Sequence, residues 1–130
     1  MKPERRGTMA RILVVDDDDQ VRSLIARLLL RQGYQVVEAS DGAQALRLFR
    51  DDPADLIITD LIMPGREGIE TIAELRRDCP GVKIIAMSGG GRVGPVSYLQ
   101  LASKLGAERT FAKPFDHAEM LEAVREMLAD

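Results

Sequence analysis

Short runs of Val, Ile and Leu alternate with longer amphipathic stretches along the chain. The short runs are Ile12–Val15, Tyr34–Ala39, Leu56–Thr59, Val82–Met87 and Thr110–Ala112. The first, third and fourth are nearly continuous aliphatic segments, as parallel strands covered on both faces require. The second interleaves Tyr34, Val36 and Val37 with Gln35 and Glu38, a pattern suited to a sheet edge. Between the runs lie helical patterns. Val21, Leu24, Ile25, Leu28 and Leu29 fall on one face of a first helix, which starts at an Asp18 or Asp19 cap and stops at Gly33. A second helix covers about Ala43 to Arg50, and a third runs from about Arg66 to Asp78 and stops before Pro80-Gly81. A fourth begins near Pro95 and ends at Gly106, and a fifth covers about Asp116 to Leu128 with Leu121, Val124 and Leu128 on one side. Leu24, Leu28, Phe49, Ile57, Ile85 and Leu121 read as core, and Cys79 as an inert thiol late in the third helix.

This strand–helix alternation predicts an α/β protein, a (βα)₅ doubly wound fold with a five-stranded parallel sheet and helices on both faces. Residues 1–9 read as a polar tail, and residues 10–130 as one domain. The length of 130 residues suits a single core that buries roughly 65–70% of the unfolded surface without disulfide or metal. One cysteine, Cys79, forbids an intrachain disulfide and suits a reducing compartment, so a cytoplasmic location is expected. The 18 basic and 21 acidic residues give a net charge of −3, which argues against gripping a nucleic-acid backbone. The longest apolar runs have four residues, against the ~20 that a membrane-crossing helix needs.

In a doubly wound fold, ligands bind at the carboxyl ends of the strands. After the first strand come Asp16, Asp17, Asp18 and Asp19. After the third comes Asp60, after the fourth Ser88, and after the fifth Lys113. Taken singly, each has a plain explanation: an Asp after a strand commonly caps a helix, and a Ser before Gly marks a turn. Together they put carboxylates, a hydroxyl and an ammonium on one rim. Three carboxylates within about 5 Å repel by roughly 3 kcal/mol per pair at an effective dielectric of about 20. Such a cluster calls for a cation or for partial protonation. Hard oxygen donors without His or Cys favour Mg²⁺ over zinc. The single histidine, His117, lies away from this rim at the start of the last helix. A carboxylate beside Mg²⁺, a lysine and a hydroxyl is equipment for phosphoryl transfer.

The segments ILVVDDD, LIITDLIMPGREG, IIAMSGG and AKPF, in that order, resemble the signature segments of response-regulator receiver domains. The resemblance covers about Arg11 to Leu128, and its most specific part is Asp-x-x-Met-Pro-x-x-x-Gly at Asp60–Gly68. It implies the flavodoxin-like strand order 2-1-3-4-5, with Asp60 as phosphoacceptor. It implies Mg²⁺ on Asp17, on Asp16 partly through water, on Asp60 and on the Ile62 backbone carbonyl. Ser88 and Lys113 would hold the phosphoryl group, with the backbone at Ile62 and Gly89 also in contact, and Lys113–Pro114 would be a cis peptide. The implied partners are a sensor histidine kinase or histidine phosphotransfer protein and a downstream effector protein, with no direct nucleic acid and no membrane. A phosphorylation-dependent dimer would use the fourth helix, fifth strand and fifth helix. Such a domain is a signalling switch and not an enzyme, since it promotes only its own phosphorylation and dephosphorylation. No output domain follows before Asp130, which fits either a stand-alone regulator or one domain of a longer one.

Two features depart from the family pattern. The aromatic switch usual three positions before the lysine is Thr110, and Phe111 lies one place later, turned to the other sheet face. The Ser88–Lys113 interval is a few residues longer than usual, and the excess falls most simply in the loop Gly89-Gly90-Gly91-Arg92-Val93-Gly94-Pro95. That loop matches G-x-G-x-x-G formally, but it follows the fourth strand and does not open the fold, so a nucleotide site is not expected. Ile62 and Gly90 offer no polar group to position an attacking water, which predicts slow loss of phosphate. Two alternatives remain. A haloacid-dehalogenase-type phosphatase would use Asp16 and Asp18 as an Asp-x-Asp pair, though Gln20 and the LxMPxxxG segment do not fit it. A pseudo-receiver would bind partners without phosphorylation.

Overall fold

The computed structural model describes residues 10–61, 68–88, 100, 102–104 and 106–129. Five strands, β1 (Arg11–Val15), β2 (Gln35–Ala39), β3 (Leu56–Asp60), β4 (Lys83–Ser88) and β5 (Arg109–Ala112), form one sheet. All its pairings are parallel, in the order β2-β1-β3-β4-β5. The helices are α1 (Asp19–Arg31), α2 (Gly42–Asp51), α3 (Gly68–Asp78), α4 (described at residues 100 and 102–104) and α5 (His117–Met127). The order reverses between β1 and β3, which makes the rim beyond them the switch point.

Alternation along the strands sorts the aliphatic side chains into two cores. Leu13, Val15, Ile57, Ile84 and Ala86 face Leu46 and Phe49 of α2 and Ile72 and Leu75 of α3. Ile12, Val14, Ile58, Ile85 and Met87 face Ile25 and Leu29 of α1 and Met120 and Val124 of α5. β3 and β4 are covered on both sides, hence their unbroken aliphatic sequences. β2 lies at the edge and its residues are more exposed, as its alternating sequence indicates.

The helix ends follow local chemistry. Asp18 caps α1 by accepting from the N–H groups of Gln20 and Val21, Asp41 caps α2 through Gln44, and Asp116 caps α5 through Glu119. After α1, Gly33 takes φ 93°. Its N–H donates to Leu30 O and that of Tyr34 to Leu29 O, satisfying the last carbonyls. The buried stripe of α1 is centred on Ile25, Ala26 and Leu29, so Leu24 and Leu28 flank it half-buried. Leu121 is also half-buried, because α5 turns Met120, Ala123 and Val124 inward. Cys79 lies one residue past α3, half-buried against the first core, and its N–H closes the helix on Leu75 O. The expected tail at 1–9, the start of the third helix at Arg66 and that of the fourth near Pro95 lie outside the described residues.

Candidate functional site at the switch point

Asp60 and Ser88 are the last residues of β3 and β4 and do not lie beyond them; Asp16 follows β1 and Lys113 follows β5. The parallel register brings all four to one rim, with Asp60 beside Met87 and Ser88 beside Ala112. The Lys113 N–H donates to Ser88 O, and the Leu61 N–H to Met87 O, both at 2.9 Å. The Lys113–Pro114 peptide is cis.

Asp16 is fully buried, and each of its polar groups has a partner. Its N–H donates to Ala39 O, and its carbonyl accepts from Arg22. Its Oδ1 accepts from the Asp18 N–H at 2.9 Å, and its Oδ2 from Lys113 Nζ at 2.7 Å. Lys113 Nζ also lies 3.5 Å from Asp60 Oδ1. Asp60 is 5% exposed. Carboxylate oxygens of Asp16, Asp17 and Asp60 lie within 4.8 Å of one another, and Asp17 is exposed to solvent.

This crowding alters the proton equilibria. Burial, and then the Asp16 charge, push the Asp60 carboxyl up to about 6, against the pull of Lys113. Burial opposes the charge on Lys113, but Asp16 and Asp60 more than offset it, so its pKa lies above the usual lysine value. Ser88 Oγ is buried and makes no hydrogen bond among the described residues. In an ordinary core such a hydroxyl finds a partner; here it belongs to a rim lined by charges. The donor set fits a hard divalent cation: three carboxylates converge, and the single histidine, His117, is exposed at the start of α5.

Asp16, Asp17, Asp60, Ser88 and Lys113 are thus brought to the same rim. Ile62 and Gly89 lie outside the described residues, as does the glycine-rich loop. Asp18 is occupied as the α1 cap, which removes it from an Asp-x-Asp pair with Asp16. Thr110 sits beside Ala86 of the first core, whereas Phe111 sits beside Met87 and packs half-buried on the second. The two therefore face opposite sides, as alternation requires.

Sequence reasoning missed two supports. Gly68 packs so tightly on the end of β3 that a Cβ there would lie 2.1 Å from Asp60 O. Its N–H donates to Leu61 O, and Thr59 Oγ1 donates to Asp60 O. The glycine was visible in the Asp60–Gly68 spacing, but its close approach was not. Arg22 is the other support, and nothing in the apolar pattern of α1 marks it.

A doubly wound α/β domain with an acidic pocket at its switch point is the class that fold and site define. The sequence model of the response regulator receiver domain matches residues 12–125, and the chain belongs to that family. It is 34% identical to sporulation initiation phosphotransferase F of Bacillus subtilis, over 91% of this chain and 93% of that protein. It is 38% identical to the transcriptional regulatory protein CpxR of Klebsiella pneumoniae, over 92% of this chain and 50% of the relative, so the chain spans half of that regulator's length. Response regulator TrrA of Thermotoga maritima, solved in complex with Mg²⁺-BeF, matches with TM-score 0.82 and 35% identity over 92% of this chain and 100% of that one. The chain is a signalling domain of two-component systems. No helix among the described residues is long and apolar enough to cross a membrane.

Proposed function

We propose that Asp60 accepts a phosphoryl group from the phosphohistidine of a sensor histidine kinase or histidine phosphotransfer protein. The observation that carries this reading is the placement of the Asp60 carboxylate, 3.5 Å from Lys113 Nζ and within 4.8 Å of the Asp16 and Asp17 oxygens. An Asp60 oxygen attacks phosphorus in line, the P–N bond breaks, and the imidazole leaves with its electron pair and takes up a proton. Asp16, Asp17, Asp60 and the Ile62 carbonyl would hold Mg²⁺, which when bound supplies charge neutralisation at the phosphoryl oxygens. Lys113 then exchanges part of its pairing with the carboxylates for a pairing with the new phosphoryl oxygens. The Ser88 hydroxyl, which has no partner among the described residues, would gain an acceptor, and the Gly89 N–H would contribute from the backbone.

Phosphorylation replaces one carboxylate charge by a larger anion. The pull falls on Lys113 and Ser88, at the ends of adjacent strands β5 and β4. The response spreads to α4, β5 and α5, including Thr110 and Phe111, and alters that surface for an effector protein or a second copy. The work is done in the cytoplasm. The test is incubation with acetyl phosphate and Mg²⁺, followed by peptide mass spectrometry. A phosphoryl adduct on Asp60 that disappears in Asp60→Asn is expected. Turnover of phosphate that depends on Asp16 would favour a phosphatase, and a bare Asp60 under its cognate donor would favour a phosphorylation-independent binding module.

A further inference from the structure

Arg22 projects from the first turn of α1 and is bonded in three directions. Its Nη1 donates to the Asp16 backbone carbonyl at 2.8 Å, its Nη2 to Asp19 Oδ1 at 2.6 Å, and its Nε to Glu38 Oε1 at 3.1 Å. Asp19 begins α1, and Glu38 lies on β2 in register with Val14. The guanidinium thus ties the helix start and the edge strand to the carbonyl between Asp16 and Asp17. The Arg22 side chain is only 16% exposed despite its charge.

That carbonyl belongs to the peptide plane joining Asp16 to Asp17. The plane is rigid, so a bond on its oxygen fixes where the Asp17 Cα lies. Asp16 needs little further help, because its N–H and both carboxylate oxygens have partners of their own. The Asp17 carboxylate is different: it is exposed, and among the described residues no hydrogen bond holds it, yet it must reach the same point as Asp16 and Asp60. Asp16, Asp60 and Lys113 are held from the sheet side, so the geometry of the third acid depends on the turn that Arg22 pins.

We propose that Arg22 is a positioning residue for the acidic pocket, setting the Asp16–Asp17 peptide plane so that the Asp17 carboxylate meets the other two at the cation site. A planar fork with donors in several directions is needed for this; the single point charge of a lysine cannot bond a carbonyl and two carboxylates on different elements in the same arrangement. The inference rests on the reading of the pocket as a Mg²⁺ site, and residues that orient metal ligands are commonly worth ten- to a hundred-fold in affinity.

The test compares the wild type with Arg22→Gln, Arg22→Lys and Arg27→Gln, the last an exposed arginine on the same helix. Mg²⁺ affinity is measured by titration calorimetry, and hydrogen exchange at the Asp17 and Asp18 amides is measured without metal. Arg22→Gln and Arg22→Lys should each weaken Mg²⁺ binding about tenfold and speed exchange at both amides, with Arg27→Gln unchanged. Wild-type affinity in folded Arg22→Gln, or full rescue by Arg22→Lys, overturns the proposal, the second by showing that charge alone suffices. Should Arg22→Gln not fold, Arg22→Lys decides by the same readouts. If the wild type binds no Mg²⁺, the metal reading fails on its own account. The exchange comparison then still decides, since unchanged rates at Asp17 and Asp18 refute the control of this turn by Arg22.

Discussion

Replacing Asp60 by Asn should make the metal-free protein more stable at neutral pH, although it removes an ion pair with Lys113. Coulomb's law with an effective dielectric of about 20 gives a repulsion from Asp16 of at least about 3.5 kcal/mol and an attraction to Lys113 of about 4.7 kcal/mol. The two nearly cancel, which leaves the loss of hydration as the net effect. In keeping with this, burial is the leading cause of the rise of the Asp60 pKa from 3.8 to about 6. At 1.36 kcal/mol per pKa unit, ionising Asp60 costs the native state about 3 kcal/mol at pH 7. With a folded-state pKa above the unfolded one, the native state binds more protons between the two values, and stability falls as pH rises through that window. The advantage of Asp60→Asn should therefore be about 3 kcal/mol at pH 7 and shrink below about 1 kcal/mol at pH 4. Urea denaturation of both proteins in EDTA, at the two pH values, measures the difference, and differences in packing between Asp and Asn cancel in the comparison. An advantage that is the same at both pH values, or that reverses at pH 7, would refute the account of Asp60 as a buried, crowded acid.

Three further outcomes are expected. Gly68→Ala should destabilise the protein by about 1–3 kcal/mol and reduce phosphorylation of Asp60, because the new methyl group collides with the Asp60 carbonyl; a wild-type melting point with normal phosphorylation would count against this contact. Arg76 donates to Pro80 O, Val82 O, Gly106 O and Glu108 at the opposite rim. Arg76→Ala should lower stability by about 2–3 kcal/mol in urea and leave acetyl phosphate labelling of Asp60 intact; an unchanged midpoint would sink the idea. Ile62→Asn should shorten the half-life of phospho-Asp60 by offering a polar group to an attacking water, and equal decay of labelled wild type and variant would show that position 62 does not control lifetime.

Much of the architecture was legible because each element carries its own signal. Aliphatic runs separated β1, β3 and β4 from the helices, and Asp18 and Asp116 mark helix starts through bonds to residues two or three places on. The chemistry of the rim could also be read, since parallel strands place their following residues at one end. What stayed hidden depends on contacts through space. The apolar stripe of α1 does not say where its centre line falls, so Ala26 lies inside while Leu24 and Leu28 flank it. Arg22 reaches Asp16 and Glu38, and Arg76 reaches Gly106, only because the sheet brings their elements together. No local pattern records either contact, and Gly68 likewise announces a turn but not the carbonyl it leans on.

The bond from Lys113 to Asp16 joins positions 97 residues apart. During synthesis, a ribosome that has released every acid of the pocket has still not delivered its ammonium group. The carboxylates at the ends of the first and third strands therefore gain their neighbouring cation only when β5 docks and brings Lys113 to the rim.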